Sequence, residues 1–381
     1  MPFDSSEFHI PFQRLLFALM LVLIPISIFG LYIGMQASQD VQQMNGAYFR
    51  TIARDSAAIT FQYIGEQVNE VVRIANEPVV QAAVTEANRA YENMPENAIH
   101  ARADQAESKW NSAESDALLK KILGSEAAHS IRRLHELNPK LLSIVVVDQA
   151  GATVAATDKP LHYFQTESEY WRALSAKGAP KTYVSDVHYD DHSQYISVSS
   201  PVYQEGSGRF VGAVTALVDV APLFDYINQH QIARTGRVFL VRQDGVVVTA
   251  PGVQASERVG SEEYSAIHDA LGTLQGRESS YLTTTLRNGK AYFIGFSDTG
   301  LKAAYPNLPW TIVVSQELRE AEGPVRNMAI FAMLMTVLSL LLLSVLGAYV
   351  FLHRKQRIQD IKEEKPEEEP EETGKRHAAA S

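Results

Sequence analysis

The sequence contains no cysteine among its 381 residues. This absence excludes disulfides, thiolate metal sites, covalently attached haem and thiol nucleophiles. A surplus of basic residues is lacking as well, because the formal net charge is −10 at pH 7. Most of the acidic surplus lies between residues 37 and 326. Since nucleic-acid binding needs a concentrated basic face, the composition argues against a nucleic-acid partner.

Catalytic signatures are missing too. Neither a nucleophile elbow nor a zincin spacing occurs. The cluster at 188–192, His-Tyr-Asp-Asp-His, has side chains that can ligate a divalent metal, but adjacent loop residues rarely all point inward. We therefore predict a protein that is not an enzyme, with no catalytic residue, metal or cofactor. A metal in this loop and an envelope hydrolase stay open as alternatives.

Two long apolar runs frame the chain. Residues 15–33 carry no charge, and neither do residues 328–352, which the basic segment 353–357 follows at once. Each run is long enough to cross a bilayer, and positive charge beside a span marks the cytoplasmic side. A cleaved signal peptide is the alternative for the first run, but the run is long for one and its leading segment has little positive charge.

These runs predict a two-pass protein of the inner (plasma) membrane whose main domain lies in the periplasm or extracellular space. The predicted segments are a cytoplasmic N-terminus at 1–14, transmembrane helices at 15–36 and 327–352, and a tail at 353–381. The tail is rich in Glu, Lys and Pro, a composition that cannot bury a core. No output domain fits within it, so signalling would require a separate partner protein.

A helical stalk is predicted at 37–140. Apolar residues recur there at spacings of three, four and seven, namely at Val41, Met44, Tyr48, Ile52, Ile59 and Tyr63. The first helix is expected to continue out of the membrane span without a break. Its apolar stripe packs either on its own domain or against a second copy. Pro78 is expected to open a second helix to about residue 94, and a polar helix is expected at 98–137.

Two sheet modules follow, at 141–230 and 231–326. In the first, strands at 144–147 and 153–156 flank a turn ending in Gly151, and a second pair lies at 195–202 and 210–218. Between the pairs, 163–176 is helical in composition. This order predicts one antiparallel sheet with a crossover over one face, and a ligand between the two. The second module repeats the first hairpin at 238–242 and 246–250, and later strands are expected at 278–286, 291–297 and 310–315.

Four blocks carry a resemblance to a known family. They are Val147-Asp148 to Gly151, Tyr170 to Leu174, Ser199 to Val202, and Gly208 to Ala213 ending in Val218-Asp219-Val220. In order and spacing they resemble the double Cache sensor domains of bacterial chemoreceptors and sensor kinases, which are related to the PAS fold. The resemblance implies an α+β fold, in which a long N-terminal helix precedes two PAS-like antiparallel-sheet modules flanked by two transmembrane helices. It also implies a homodimer that senses a small molecule outside the cytoplasm.

Aromatic and polar residues gather in the crossover of the first module. Aromatic walls with a few polar groups suit a small-ligand pocket, although each aromatic residue could equally belong to the core. The candidate ligand-binding residues are Tyr163, Tyr170, Trp171, Arg172, Tyr183, Asp186, Tyr195 and Asp219.

The ligand class follows in part from the resemblance. Family members that bind amino acids have an arginine two residues before a Trp-Tyr pair, and an aspartate that ends the last strand. Here Asp219 matches the aspartate, but the pair is inverted as Tyr170-Trp171 and Ser168 stands at the arginine position. We therefore expect an amine, a carboxylate or another metabolite rather than an α-amino acid in particular. A non-binding accessory or structural subunit of a cell-envelope complex is the alternative function.

Overall fold

The computed structural model describes residues 12–110, 112, 115–176, 182–190, 193–204, 206–230, 232–253, 258–274 and 278–363. Contacts divide the chain into one compact unit, Gln43–Ala321, and a second unit formed by the two flanking parts of the chain. The first helix, α1 (Phe12–Ala75), begins in the flanking unit and continues into the compact unit without a break, as predicted.

Within the compact unit, α1 packs against both sheets. Its buried face carries Phe49, Ala53, Ala57, Ile64 and Val68. Of the predicted apolar stripe, Ile52 and Tyr63 pack against this core, whereas Met44, Tyr48 and Ile59 are exposed. The buried face of α1 carries alanines where the helix approaches the sheets closely. Alanine is only weakly apolar, so it contributes little to a hydropathy pattern. A Cβ added to Gly295 would lie only 2.7 Å from the carbonyl carbon of Phe49.

Four helices connect α1 to the first sheet: α2 (Pro78–Arg89), α3 (Glu96–Trp110), α4 (Ser115–Leu123) and α5 (Glu126–Leu137). The prediction of a single helix at 98–137 was wrong, and the helix opened by Pro78 ends earlier than expected. The break before α5 has a local cause. Gly124 follows the end of α4, and the Ser125 hydroxyl then accepts a hydrogen bond from the Ala128 amide, which makes it the N-cap of α5.

The first module, which we call the distal module, contains one antiparallel sheet in the order β2-β1-β6-β5-β3, with β4 also paired to β5. Its elements are β1 (Leu141–Asp148), β2 (Thr153–Ala156), α6 (Glu169–Ser175), β3 (Tyr183–Val184), β4 (His188–Tyr189), β5 (Gln194–Tyr203), β6 (Phe210–Asp219) and α7 (Ala221–Asn228). Both predicted hairpins are confirmed. Gly151, with φ of +84°, permits the turn between β1 and β2.

The crossover helix is shorter than expected, since only Glu169–Ser175 is helical. The residues just before it are not helical because some of them are hydrogen-bonded to the β1–β2 turn. The Thr153 amide donates to the Tyr163 carbonyl at 2.9 Å, and the Gln165 amide donates to the Gly151 carbonyl at 2.8 Å. This pairing fixes the start of the crossover beside the edge strand β2.

The second, proximal module has a five-stranded antiparallel sheet in the order β8-β7-β11-β10-β9. Its elements are β7 (Arg237–Arg242), β8 (Val247–Thr249), α8 (Glu262–Leu271), β9 (Ser279–Thr285), β10 (Ala291–Asp298), α9 (Leu301–Ala304), β11 (Trp310–Glu317) and α10 (Leu318–Ala321). The strands lie where they were predicted. Sequence reasoning missed α8, although Ser261 followed by Glu262 and Glu263 is an N-cap with acidic residues in the first turn.

The flanking unit contains the start of α1 and the helix α11 (Gly323–Glu363). Ile330–Leu352, with a mean hydropathy of 2.5, is the one described helical segment that is long and apolar enough to cross a membrane. Large apolar side chains along it, such as Leu338 and Leu341, are exposed. The span predicted at 15–36 is helical, but its role as a second membrane span remains a prediction. Residues 1–11 of the predicted cytoplasmic N-terminus at 1–14 and the tail after residue 363 lie outside the described residues.

Candidate ligand-binding site

The distal sheet has two faces with different partners. Along β6, Val214, Ala216 and Val218 belong to the core shared with α1, whereas Ala213 belongs to a second core cluster with Trp171 of the crossover. Because side chains alternate along a strand, Thr215, Leu217 and Asp219 share the face of Ala213. We call this side of the distal sheet the crossover face.

One half of the crossover face is apolar and packed. Tyr170, Trp171 and Leu174 of α6 lie there with Val145 and Val147 of β1. Trp110, the last residue of α3, is fully buried in the same cluster. Its indole nitrogen donates to the Pro160 carbonyl at 3.0 Å, and its ring lies 5.8 Å from the ring of Tyr163. Helix α3 therefore covers this half, a contribution that sequence reasoning missed.

The other half of the crossover face is polar. The Ser199 hydroxyl donates to the Thr215 hydroxyl at 2.7 Å, and the Ser197 hydroxyl lies 3.1 Å from the same oxygen. Strand register places Tyr183 opposite Ser199 and Tyr195 opposite Asp219. A row of hydroxyls across β5 and β6 thus leads to a carboxylate at the strand end. The alternating serines of β5 were visible in the sequence, but their partner Thr215 depends on the register.

The hydroxyl of Tyr170 is the most informative atom of the site. It is buried and has no hydrogen-bond partner among the described residues. Burial raises the pKa of this phenol above its ordinary value, and nearby Ser168 opposes the shift. The Ser168 hydroxyl itself donates to the Gln165 carbonyl at 2.5 Å. A buried, unpaired hydroxyl costs free energy that a bound polar molecule could recover.

Tyr183 and Arg172 lie at the outer edge of the crossover. The Tyr183 hydroxyl donates to the Glu169 carboxylate at 2.8 Å. Burial, followed by this hydrogen bond, raises the pKa of Tyr183 to about 12, and Arg172 acts in the opposite direction. Arg172 is exposed, so its guanidinium lies near Tyr183 but outside the packed cluster.

Asp186, Tyr195 and Asp219 have separate surroundings. The Asp186 carboxylate pairs with Arg242 of the proximal module at 2.6 Å. Tyr195 stacks on His188 with ring centroids 5.4 Å apart. One carboxylate oxygen of Asp219 accepts from the Ala221 amide at 2.9 Å, which fixes the side chain at the start of α7.

The eight candidate residues therefore do not converge on a single open cavity of the described chain. Tyr170 and Trp171 belong to one buried cluster, with Tyr163 and Tyr183 packed at its margin. Tyr195 and Asp219 lie at the far, polar end of the sheet, Asp186 lies at the module boundary, and Arg172 is exposed. In the described part of the chain, no group of three His, Asp or Glu side chains could hold a metal, and residues 191 and 192 of the suspected loop lie outside it.

Two consecutive sheets, each covered by its own helices and sharing a long N-terminal helix, define a tandem PAS-like sensor domain. A family model described as a Cache domain matches residues 37–325. The chain belongs to the double Cache family.

Among solved structures, the chain is similar to the ligand-binding domain of the Pseudomonas aeruginosa PAO1 amino acid chemoreceptor PctB in complex with L-Arg. The two sequences are 15% identical, the TM-score is 0.43, and the match covers 73% of this chain and 97% of that one. It is also similar to the ligand-binding domain of the Pseudomonas fluorescens chemoreceptor CtaA in complex with L-isoleucine, at 13% identity and a TM-score of 0.46, over 75% and 97%. A third is the extracellular domain of the putative histidine kinase vpHK1S-Z8, at 15% identity and a TM-score of 0.40, over 65% and 99%. No curated protein matches the chain.

Proposed function

We propose that this protein is a membrane-anchored, extracytoplasmic sensor whose distal module binds a small polar molecule on the crossover face. The buried Tyr170 hydroxyl, which has no hydrogen-bond partner among the described residues, is the observation that carries the proposal. Helix α6, which holds Tyr170, packs on β3, β5 and β6, the strands of the hydroxyl row. A ligand between them would accept from Tyr170 and exchange hydrogen bonds with Ser197, Ser199 or Thr215.

The chemistry of the site favours an amine or a neutral polar metabolite. Asp219 supplies negative charge at the polar end of the face, which would attract a cation. The described residues of the crossover face include no arginine, since Ser168 takes the position expected for it and Arg172 is exposed. A carboxylate ligand would therefore require Arg172 to move inward across the edge of α6.

Membrane anchoring is proposed through two helices, the segment Ile330–Leu352 and the predicted span at 15–36. A ligand can change signalling only if it binds one arrangement of the helices better than another. Such a preference could be expressed as a small sliding of the membrane helices, read by a separate output protein. The exposed residues Met44, Tyr48 and Ile59 of α1 are the proposed contact in a homodimer.

A thermal-shift screen of the full-length chain in detergent tests the proposal. The panel contains amines, organic acids, amino acids and purines, each at about a hundredfold excess over a micromolar dissociation constant, where stabilisation reaches about 2.7 kcal/mol. A saturable rise in melting temperature that is lost in Tyr170→Phe and kept in Tyr203→Phe, an exposed tyrosine of β5, supports the sensor. A silent panel with a cooperatively folded chain would favour the accessory subunit without a ligand.

A further inference from the structure

A cavity lies beside the edge strand β2, away from the polar half of the crossover face. Its volume is about 590 Å³, within the range of small-ligand pockets. The lining comes from α2, α3 and α4, from the start of α5, and from the chain between Asp148 and Tyr163. None of its described lining residues belongs to α6, β3, β5 or β6, the elements of the proposed sensor site.

Asp148 lines the base of this cavity, and its carboxylate already accepts hydrogen bonds from the protein. Asp148 is 2% exposed. It accepts hydrogen bonds from the Tyr91 hydroxyl at 2.7 Å, from the Ala150 amide at 2.9 Å and from the Ala152 amide at 3.0 Å. Burial is the main cause that raises the pKa of this group, against those hydrogen bonds. Asp148 therefore organises the turn and the Tyr91 ring, and offers little attraction to a cationic ligand.

The walls carry more positive than negative charge. Glu86 and Arg89 form an ion pair at 2.6 Å and offset each other. The lining also contains Arg102 and Lys121, and in its described part Asp148, which is already hydrogen-bonded, is the one carboxylate besides Glu86. The Arg102 guanidinium lies over the Tyr91 ring, 5.8 Å from its centroid, which holds it at the cavity. Two cations at the lining of one cavity, both on its exposed side, in a domain with an acidic surplus, indicate an anionic occupant.

The same cavity offers ring surfaces and hydroxyls. Tyr91 and Tyr163 line it together, and Ser125 and Thr153 add polar atoms. Flat organic molecules pack well on tyrosine rings, while a charged end would lie between the two cations. We propose that this cavity binds a small organic carboxylate with a flat body, of the size and shape of an aromatic acid. This site is separate from the hydroxyl row of the proposed sensor site, although Tyr163 of the original candidate set lines it.

A ligand bound in this cavity would also stabilise helix α3, which covers the apolar half of the crossover face. The carboxylate would join α3 and α4, through Arg102 and Lys121, to α2 and the edge strand. Helix α3 ends in Trp110, which is buried in the crossover cluster. A ligand here would therefore hold Trp110 in place and, by thermodynamic reciprocity, would favour binding at the crossover face as well.

The test uses the full-length chain in detergent, with benzoate as probe and uncharged benzamide as its matched control, by calorimetry and thermal shift. Benzoate is expected to bind saturably and benzamide at least about tenfold more weakly. The double variant Arg102→Gln/Lys121→Gln should weaken benzoate binding by about tenfold. The charge-matched control Lys120→Gln/Arg133→Gln, at exposed positions outside the lining, should bind benzoate like the original chain.

Tyr170→Phe separates this site from the sensor site, because it should leave benzoate affinity unchanged. The single variant Lys121→Gln, at an exposed position, gives the same comparison if the double variant does not fold. The proposal is overturned if benzoate fails to bind a folded chain, if benzamide binds as tightly, or if Lys121→Gln and the double variant retain full affinity.

Discussion

The hydroxyl of Tyr63 on α1 donates a hydrogen bond of 2.8 Å to the main-chain carbonyl of Asp219 at the end of β6. Lys140 lies over the same ring at 4.7 Å from its centroid. Burial, and then the charge of Asp219, raise the pKa of the Tyr63 phenol, so the proton stays on this hydroxyl. The residue that ends the candidate ligand face is thus hydrogen-bonded directly to the long helix α1.

The Tyr63→Phe variant tests this connection. We expect a loss of about 1 kcal/mol in the free energy of unfolding, the usual net contribution of one hydrogen bond. If this hydrogen bond transmits ligand binding to α1, the variant should keep its ligand affinity within a few fold. The change that the ligand causes in the hydrogen exchange of α1 should become smaller. Hydrogen exchange of α1 amides, with and without ligand, measures that change. An undiminished response in the variant would show that the signal takes another route.

Tyr170→Phe should not destabilise the protein in the absence of ligand. The hydroxyl is buried and unpaired within the part of the chain that the structure describes, so its removal eliminates an unfavourable group, and a gain of about 1 kcal/mol is expected. The matched control is Tyr264→Phe in the proximal module, because that hydroxyl donates to the Gln243 carbonyl at 2.7 Å. The control should lose stability. Thermal unfolding of both variants gives the comparison, and a clear loss in Tyr170→Phe would mean that this hydroxyl does have a partner.

Acidification should weaken the proximal module through Glu263. Burial alone would raise the pKa of this carboxyl, but the Arg237 guanidinium at 2.6 Å overcomes the effect and the pKa is lowered. A lowered folded-state pKa means that the stabilisation is complete above the unfolded value of about 4.3 and is lost as the pH falls below it. Unfolding midpoints between pH 6 and pH 3 measure the loss.

Glu263→Gln is the matched variant for that pH dependence. At neutral pH it should cost about 2 kcal/mol, since the buried partner of Arg237 loses its charge. Below pH 4 its stability should approach that of the original chain. Equal pH slopes for the two proteins would assign the acid sensitivity to other carboxyls.

The absence of cysteine makes the dimer proposal directly testable. Single cysteines placed at Met44 or Tyr48, both more than half exposed on α1, should form intermolecular disulfides in membranes under mild oxidation. Arg54→Cys, exposed on a different face of the same helix, is the control and should react much more weakly. If all three positions cross-link equally, the contact is random collision, and α1 does not form a specific dimer seam.

The sequence predicted the strands well because their signals are local. Period-two alternation and Gly-containing turns located both modules, and four blocks of the first module identified the family. The helical segments were predicted less well. The break between α4 and α5 depends on Gly124 and Ser125. The start of the crossover is not helical because Tyr163 and Gln165 are hydrogen-bonded to a turn that precedes them in the chain.

The site was predictable only in part. Tyr170, Trp171 and Tyr183 were predicted because aromatic residues gather in the crossover, and the structure brings them together in or beside one cluster. Trp110 joins them from the stalk, far away in sequence, and only tertiary packing could reveal that. Thr215 completes the hydroxyl row because the register of β5 and β6 places it beside Ser197 and Ser199. Long-range register and helix docking are the features that a local pattern does not contain.

The central claim is that a small polar molecule binds between α6 and the hydroxyl row of the distal sheet. The most direct measurement is the dissociation constant of the strongest panel ligand for the full-length chain and for Tyr170→Phe, Thr215→Val and Tyr264→Phe. Our account predicts a loss of about tenfold or more in the first two variants and none in Tyr264→Phe. Equal affinity in all four proteins would contradict it and would place the ligand elsewhere in the chain.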